Sequence, residues 1–380
     1  MDELEHKVAE HLLAAATDPG THPSAGLGEA VLAGTAARRR RRRTLVTAVA
    51  AGVAATMAVP VAVFAASGRD GARPPDPAKP VTSVTPSAVQ TRGALIPRSL
   101  PGGRTFRAMA LGPDGSVLGM PVAVNGEGVQ LPQRGVWLAG PEAGPPRRVA
   151  DTPASALPYL WTMAVGATSR VWPEGETLRC QSPGRTDVRT LRASWSGREP
   201  FYVDGGLIVW GDAERRTIVT AAGCDALPHS RSLPGPLVAV SDQNAYARTR
   251  PDRVEQVNLR HGGRRPLVAE TSDEAVFGAG PGTLAWADRG RLTVQRLTGS
   301  GQQSVVARRL PFAGRPGYTG TVTVGLNVVV YSAVHQDTGD GGALVVDLRT
   351  GAQVTFPGAA WAAGDLLLRD LGDGYLLERR

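Results

Sequence analysis

Short apolar runs separated by Gly, Pro, Asp and Asn recur from about residue 93 to residue 380. One mostly apolar run returns roughly every 40 residues after a longer first interval, which is a period typical of repeat folds. Its copies are Ser116–Gly119, Ser169–Trp172, Leu207–Trp210, Asn244–Ala247, Thr283–Trp286, Val328–Tyr331 and Asp365–Leu368. Turn residues at this spacing predict an all-β fold, and the long period favours a β-propeller over a sandwich or a barrel.

A second apolar run and a Gly-containing turn follow several copies of the first. The clearest case is Ala343–Gly351, and a further run at Ala352–Phe356 can close the unit. We therefore predict seven four-stranded blades between about 93 and 380, although six or eight would also fit the spacing. The seventh unit, from Ala359, ends before a full blade is complete. We expect the segment Ala94–Phe106 to donate its outer strand, because a blade completed from both ends leaves no open sheet edge.

An apolar segment without charged residues covers positions 44 to 68, and six arginines directly precede it. About 20 apolar residues cross a hydrocarbon core of roughly 30 Å, so residues 38–66 predict one Arg-flanked transmembrane helix with Pro60 near its end. Arginines beside a membrane helix stay in the cytoplasm, which places the N-terminus inside and the chain after Gly68 outside. The residues of this topology signal are Arg38, Arg39, Arg40, Arg41, Arg42 and Arg43.

A second interpretation of this segment stays open. Residues 38–66 could be a signal peptide cleaved near Val63–Ala65, which would make the remaining chain a secreted protein. Arg42–Val46 also resembles a twin-arginine export signal. The leader before the arginines is longer than an ordinary signal-peptide n-region, so we expect a retained anchor in the cytoplasmic membrane.

Polar segments flank the predicted anchor on both sides. Residues 1–37 are acidic on balance, with a short helix predicted over 1–16, and they are too few to bury a core. We expect either a tail with nascent helix or an amphipathic peptide that binds a cytoplasmic protein. Residues 67–92 are rich in Pro, Ser and Thr, which predicts an extended linker of about 3 Å per residue.

The distribution of charge limits the partners. The formal net charge is +8, but the densest basic stretch is the arginine run beside the predicted membrane helix. We interpret that run as a topology and anionic-lipid signal rather than a nucleic-acid patch. The sequence therefore predicts the lipid bilayer as a partner and no nucleic acid.

Two cysteines, Cys180 and Cys224, lie in the part predicted to be outside. An oxidising compartment permits a disulfide between them. Sequence alone does not show whether their Cα atoms come within bonding distance, so the disulfide stays one of two alternatives.

Residue patterns give little support to catalysis. The chain has no Gly-x-Ser-x-Gly nucleophile motif, and none of its six histidines has a Cys at zinc-ligand spacing. The loop Asp337–Gly342 lacks the downstream acidic residue of a calcium loop, so we expect a plain hairpin loop there. We also expect His261 in a hairpin turn. The sequence thus predicts no catalytic residue, no metal site, no cofactor and a protein that is not an enzyme.

Trp172, Trp210, Trp286 and Tyr331 recur at one strand position, which predicts packing between blades rather than a ligand site. In the order and spacing of these runs, residues 93–380 resemble bacterial β-propellers of the broad Trp-Asp-repeat or TolB-like kind. No Trp-Asp dipeptide ends a blade, and the Ser-x-Asp-x-Gly box of sialidases is missing.

The layout resembles that of single-pass membrane proteins of GC-rich bacteria encoded beside extracytoplasmic-function sigma factors. In these proteins a short acidic head, an arginine run and one helix precede an outer sensor domain. Residues 1–37 contain no cysteine, so the zinc-binding head of many anti-sigma factors is not implied. The resemblance leaves a zinc-independent regulator as an alternative.

Together these features predict a membrane-anchored, extracytoplasmic propeller that binds an unknown protein, glycan or peptide on one face without catalysing a reaction. One alternative is a transmembrane regulator whose residues 1–37 bind a cytoplasmic partner such as a sigma factor. Another is a secreted enzyme that uses the central channel of the propeller.

Overall fold

The computed structural model describes residues 93–140, 144–154, 163–192, 195, 200–212, 217–297 and 303–380. All of these residues belong to the second of two units, Thr85–Arg380. The predicted acidic segment 1–37, transmembrane helix 38–66 and linker 67–92 lie outside the described residues. Within the described ranges, no helix is long and apolar enough to cross a bilayer.

The described residues form seven sheets, which we number as blades in chain order after the first two strands, β1 (Ala94–Pro97) and β2 (Ser99–Leu100). Blade 1 contains β3 (Arg104–Leu111), β4 (Val117–Val124), β5 (Gln130–Pro132), β6 (Val136–Gly140) and β7 (Gly144–Ala150). Blade 2 contains β8 (Ala164–Val165), β9 (Arg170–Glu174), β10 (Thr177–Gln181) and β11 (Arg189–Arg192). Blade 3 contains β12 (Phe201–Asp204), β13 (Leu207–Asp212), β14 (Thr217–Ala221) and β15 (His229–Ser232).

The remaining blades repeat this order. Blade 4 contains β16 (Leu237–Ser241), β17 (Asn244–Arg250), β18 (Arg253–Asn258) and β19 (Arg264–Val268). Blade 5 contains β20 (Val276–Gly280), β21 (Thr283–Asp288), β22 (Arg291–Arg296) and β23 (Gln303–Ala307). Blade 6 contains β24 (Tyr318–Val324), β25 (Val328–His335), β26 (Gly341–Asp347) and β27 (Gln353–Pro357). Blade 7 contains β28 (Ala360–Ala363), β29 (Leu366–Asp370) and β30 (Gly374–Arg379).

The first strands of the blades contact one another in a closed ring, in the order β3, β8, β12, β16, β20, β24, β28 and back to β3. Antiparallel blades arranged in this way around a common axis define a β-propeller. The predicted seven-bladed, all-β fold is therefore confirmed for the described residues.

The N-terminal strand closes the ring. β1 pairs antiparallel with β30, with Ala94 opposite Leu377 and Pro97 opposite Gly374, and so becomes the outer strand of blade 7. Ile96 of β1 is 1% exposed and packs in the core shared by blades 7 and 1. The prediction that Ala94–Phe106 supplies the missing outer strand is thus confirmed for its first residues.

All seven recurring runs found in the sequence overlap the second strands of the blades, from β4 to β29. These strands are buried on both faces, because alternate side chains pack against opposite neighbouring blades. In β25, Val329 and Tyr331 belong to the core shared with blade 5, whereas Val328 and Val330 belong to the core shared with blade 7. Double-sided burial explains why these strands appear as continuous apolar runs without alternation.

The recurring aromatic residues pack between blades, as predicted. Trp172 is fully buried against blade 1, and its indole N–H donates to Thr152 Oγ1 at 3.3 Å. Trp210 packs on blade 2, and Trp286 packs on blade 4. These side chains therefore hold the ring together and are not available as a ligand site.

Candidate functional site

The ring leaves a central channel of about 680 Å³ among the first strands of all seven blades. Its walls are made largely of small and apolar residues, such as Ala164 and Val240, and of backbone. Neighbouring first strands approach closely: a Cβ placed on Gly278 would lie 2.4 Å from the carbonyl oxygen of Val322. Glycine is required at such a position because no side chain fits there.

The carboxylates that line the channel are Asp204 and Asp242. Asp204 Oδ2 accepts the backbone N–H of Gln243 at 2.8 Å, and Asp242 Oδ2 accepts that of Gly282 at 2.9 Å. Each carboxylate thus joins the first turn of one blade to the first turn of the next. Both carboxylates therefore stabilise the ring by hydrogen bonds between neighbouring blades.

One tyrosine on the channel wall is also engaged. Tyr202 donates its hydroxyl to the carbonyl oxygen of Val238 in the next blade at 2.7 Å. Burial raises the pKa of this phenol above its ordinary value. The hydroxyl therefore stays protonated and acts as a further link between blades.

The two faces of the ring differ in their connections. The turn face carries the turns between first and second strands and between third and fourth strands of each blade, and the loop face carries the other turns and the connections between blades. Because all strands within a blade are antiparallel, this division holds around the whole ring.

The histidines lie apart on these two faces. His261 lies in the turn between β18 and β19, as predicted, and its Nδ1 accepts the N–H of Gly263 at 3.2 Å. His335 lies on the loop face, where its Nδ1 accepts the N–H groups of Asp337 and Thr338 at 3.3 Å. Across the part of the chain that the structure describes, no three His, Cys, Asp or Glu side chains are grouped so that they could hold a metal ion.

An aromatic cluster lies at the loop-face end of blade 6. The rings of Phe312 and Tyr318 stack with their centroids 4.7 Å apart, and the His335 ring meets Tyr318 edge-on at 5.1 Å. The guanidinium of Arg315 covers the Phe312 ring at 4.9 Å from the centroid. The three rings are half-buried and Arg315 is exposed, so the cluster is ordered by its own contacts and still reaches solvent.

Phe312 has a backbone φ of +56°, in the left-handed region. A bulky residue holds this conformation only where its surroundings determine it, and such residues concentrate at functional sites. The packing of its ring between Tyr318 and Arg315 supplies that determination.

The second strand of blade 1 extends beyond its sheet and forms a hairpin with β5, in which Val122 pairs with Pro132. The N–H of Gln130 in this hairpin donates to the carbonyl oxygen of Asp337 in blade 6 at 2.7 Å. Since blade 7 separates blades 1 and 6, the hairpin crosses the loop face above blade 7.

Three of the eight large apolar side chains that the described residues expose lie on this part of the loop face. Val124 and Leu131 on the hairpin are 60% and 41% exposed, and Leu371 in the second turn of blade 7 is 48% exposed. We call these three residues together with Phe312, Arg315 and Tyr318 the loop-face sector. Sequence reasoning missed this sector, although the long interval between the runs of blades 5 and 6 marks the insertion that carries Phe312.

The two cysteines lie in neighbouring blades and are bonded. Cys180 belongs to β10 of blade 2, and Cys224 follows β14 of blade 3, with their Cα atoms 5.5 Å apart. Both are buried in the core that the two blades share. The structure thus assigns the alternative that the sequence left open. The topology residues Arg38 to Arg43 lie outside the described residues.

Comparisons with known proteins give no family. No protein-family model matches the chain, and no curated protein matches it. Among solved structures, the chain is similar to the crystal structure of RRP9 WD40 repeats, with 10% identity, a TM-score of 0.47 and coverage of 77% of this chain and 98% of that chain.

Two other solved structures are similar at a comparable level. Kluyveromyces lactis Hsv2 has 8% identity and a TM-score of 0.39, with coverage of 67% of this chain and 98% of that chain. A chain of the nidogen/laminin complex has 13% identity and a TM-score of 0.34, with coverage of 67% of this chain and 80% of that chain. The assignment of the propeller fold rests on the sheet topology of the chain itself.

Proposed function

We propose that this chain is a membrane-anchored, extracytoplasmic β-propeller that binds a protein partner through its loop-face sector and does not catalyse a reaction. The observation that carries this proposal is the sector itself, in which a bridging hairpin, exposed apolar side chains and an ordered aromatic cluster lie on one side of the ring.

The chemistry of the sector favours a protein over a glycan. Aromatic residues and arginine dominate the energetics of protein interfaces, and grouped exposed apolar residues mark interaction sites. A sugar needs an open aromatic ring face, but Tyr318 stacks on the Phe312 ring and the Arg315 guanidinium also covers it. The edges of these rings and the exposed apolar residues of the hairpin can pack against side chains of a folded partner or a peptide.

The channel supports binding without chemistry. Asp204 and Asp242 each accept one backbone N–H group from the neighbouring blade through Oδ2, so both carboxylates contribute to the ring. General acid–base catalysis requires a carboxyl group free to exchange a proton with a bound substrate. Both carboxylates are therefore better explained as links between blades.

The disulfide supports a location outside the cytoplasm. Structural disulfides persist in oxidising compartments and are rare in the cytosol. The bond between Cys180 and Cys224 agrees with the orientation predicted from residues 38–66, in which Arg38–Arg43 precede the apolar part of the predicted transmembrane helix. A retained anchor with the N-terminus inside is therefore part of the proposal.

Photo-crosslinking in intact cells tests the binding function. A photoreactive amino acid is placed at Leu131 or at Arg315 in the full chain, with Val354 as the matched control because it is also exposed but lies on the outer strand of blade 6. We expect the same protein adduct from positions 131 and 315 and none from 354. Absence of an adduct at both sector positions, or an equal adduct at all three, contradicts the proposed site.

Protease accessibility in intact cells tests the orientation. A C-terminal tag on the full chain should be removed by external protease, whereas an N-terminal tag should be protected. Removal of the N-terminal tag would overturn the anchor orientation. The regulatory hypothesis for residues 1–37 stays a prediction, to be tested with residues 1–43 as bait for cytoplasmic partners.

A further inference from the structure

The turn face carries a group of arginines that have no acidic partners. Arg260 lies in the last turn of blade 4, and Arg264 begins its outer strand; both are exposed. Among the described residues, neither guanidinium has a hydrogen-bond or ion-pair partner. An exposed positive charge without a counter-charge on the protein attracts a negative charge, so these two guanidinium groups are available to an anionic partner.

Three further arginines of the turn face are held in place by backbone carbonyl oxygens of the next blade. Arg231 Nη1 donates to the carbonyl oxygen of Asn258 at 3.1 Å, and Arg265 Nη1 donates to that of Leu297 at 3.0 Å. Arg296 Nη2 donates to the carbonyl oxygen of Leu348 at 3.0 Å. Each of these hydrogen bonds spans the cleft between two blades and uses only part of the guanidinium. The other N–H donors of each guanidinium stay available, and the bond fixes the direction in which they point.

We call Arg231, Arg260, Arg264, Arg265 and Arg296 the arginine sector. In contrast, several loop-face arginines are neutralised: Arg134 and Arg148 both contact Asp151, and Arg248 contacts Asp273. Arginines such as Arg253 and Arg291 are also exposed on the loop face of blades 4 and 5, but the acidic residues Asp252, Glu270, Asp273 and Glu274 are exposed among them. On the turn face of these two blades, the acidic side chain within the described residues is Asp242, so this part of the turn face has a local excess of positive charge.

The chain enters the propeller on the same face. β1 begins with Ala94, which pairs with Leu377 near the turn-face end of β30, and it runs from there to the loop face. The segment 67–92 directly precedes this entry point. Its 26 residues would span roughly 80 Å if fully extended, so the segment permits contact with a bilayer without enforcing it. Because the linker does not fix the orientation of the propeller, attraction between protein charges and lipid charges would select the face that contacts the membrane.

We propose that the arginine sector docks on anionic phospholipid headgroups of the membrane that holds the anchor, so that the turn face rests on the bilayer and the loop-face sector points away from it. This inference rests on the proposed membrane anchoring. Arginine binds phosphate oxygens through two parallel N–H donors, and basic residues near an anionic leaflet each contribute to adsorption. The loop-face sector is thereby presented to a protein partner.

Amide hydrogen exchange on the full chain in lipid nanodiscs tests this docking. The probes are discs of phosphatidylcholine alone and discs that also contain about 30% phosphatidylglycerol. We expect exchange in residues 259–263 to slow by about fivefold in the anionic discs, with no change in residues 312–317 on the loop face. High salt should abolish the difference, because it screens charges at the surface.

A matched pair of double variants assigns the effect to the arginine sector. R260Q/R264Q removes two exposed, unpaired charges from the turn face and should lose most of the slowing. R308Q/R309Q removes two exposed charges from the connection after β23, which lies on the loop face, and should keep it. None of these four side chains lies in the core, so both variants should fold.

The outcomes separate this inference from the proposed function. Equal exchange in both lipids, or slowing that R260Q/R264Q retains, overturns docking while leaving the anchor and the loop-face sector intact. Equal slowing in neutral discs supplied with soluble glycerol phosphate would show that a free phosphate group is the ligand, which also overturns docking on a lipid surface. A chain that does not stay in the discs at all contradicts the anchor instead.

Discussion

The disulfide between blades 2 and 3 allows a quantitative prediction. It joins Cys180 to Cys224 across a sequence separation of 44 residues. For a closed loop of that size, the loss of unfolded-state entropy is about 13 cal/mol/K, or about 4 kcal/mol at room temperature. Reduction of the bond should therefore lower the free energy of unfolding by several kcal/mol.

Urea denaturation of the full chain in mild detergent provides the assay. With an m-value of roughly 3 kcal/mol/M, a change of about 4 kcal/mol moves the midpoint by about 1.3 M. We expect this shift when the wild-type protein is reduced, and a similar or slightly larger shift in C180A/C224A. The additional loss in the variant reflects packing, because both sulfur atoms are buried in the core between the blades.

The double variant also serves as the control for the reductant. Its midpoint should be the same with and without reducing agent, since it has no cysteine left to reduce. If the wild-type midpoint moves by less than about 0.3 M on reduction, the loop-closure reasoning is refuted for this chain. If the cysteines are found reduced in freshly extracted protein, the assignment to an oxidising compartment is refuted as well.

Three further predictions concern the closure of the ring. Ile96→Ala should lower the free energy of unfolding, measured in urea, by about 2–4 kcal/mol because Ile96 is only 1% exposed. Leu95→Ala on the same strand should lower it by less than about 0.5 kcal/mol because Leu95 is 65% exposed. Equal effects of the two variants would contradict closure by β1. Asp204→Ala should lower the free energy of unfolding by about 1.5 kcal/mol, because the Gln243 N–H loses its charged acceptor, and Asp204→Asn should retain most of that stability. If both variants unfold at the wild-type urea midpoint, this link between blades contributes nothing to stability. Burial raises the pKa of Tyr375 to about 12, so the folded state keeps a proton that the unfolded state releases from about pH 10. The contribution of Tyr375 to stability should thus be full below pH 10 and fall by up to about 1.4 kcal/mol per pH unit between pH 10 and 12, in addition to the falls from Tyr202 and Tyr246, whose pKa values burial also raises. Tyr375→Phe should remove this share of the slope, and an unchanged slope in the variant would show that Tyr375 contributes none of it.

The propeller could be predicted from the sequence because the second strand of every blade is buried on both faces. Such a strand appears as a continuous apolar run, as in Val328–Tyr331, and its recurrence reveals the repeat before any contact is known. The donated outer strand could be predicted for a related reason: the last repeat is short of one strand, and an open edge is unfavourable. These features depend on composition and order along the chain.

Two of the first strands were not recognisable in the same way. β8 has only two residues, and β20 contains Gly278 and Gly280, where a Cβ would meet the backbone of the neighbouring first strand β24. Short length and glycine leave no apolar period to detect in these two strands. The requirement for them arises from the ring and is therefore visible only in the tertiary structure.

The sequence by itself determined the repeat and the strand that closes the ring, because a strand buried on both faces is a run of consecutive apolar residues. It favoured seven blades without excluding six or eight, and the structure decided for seven over the residues that it describes. Only the tertiary structure decided that Cys180 meets Cys224, that the blade 1 hairpin reaches Asp337 over blade 7, and that Arg231 of blade 3 lies against the backbone of the last turn of blade 4. These groupings join residues far apart in the chain, and their distances are fixed by how adjacent blades pack around the ring rather than by any local preference.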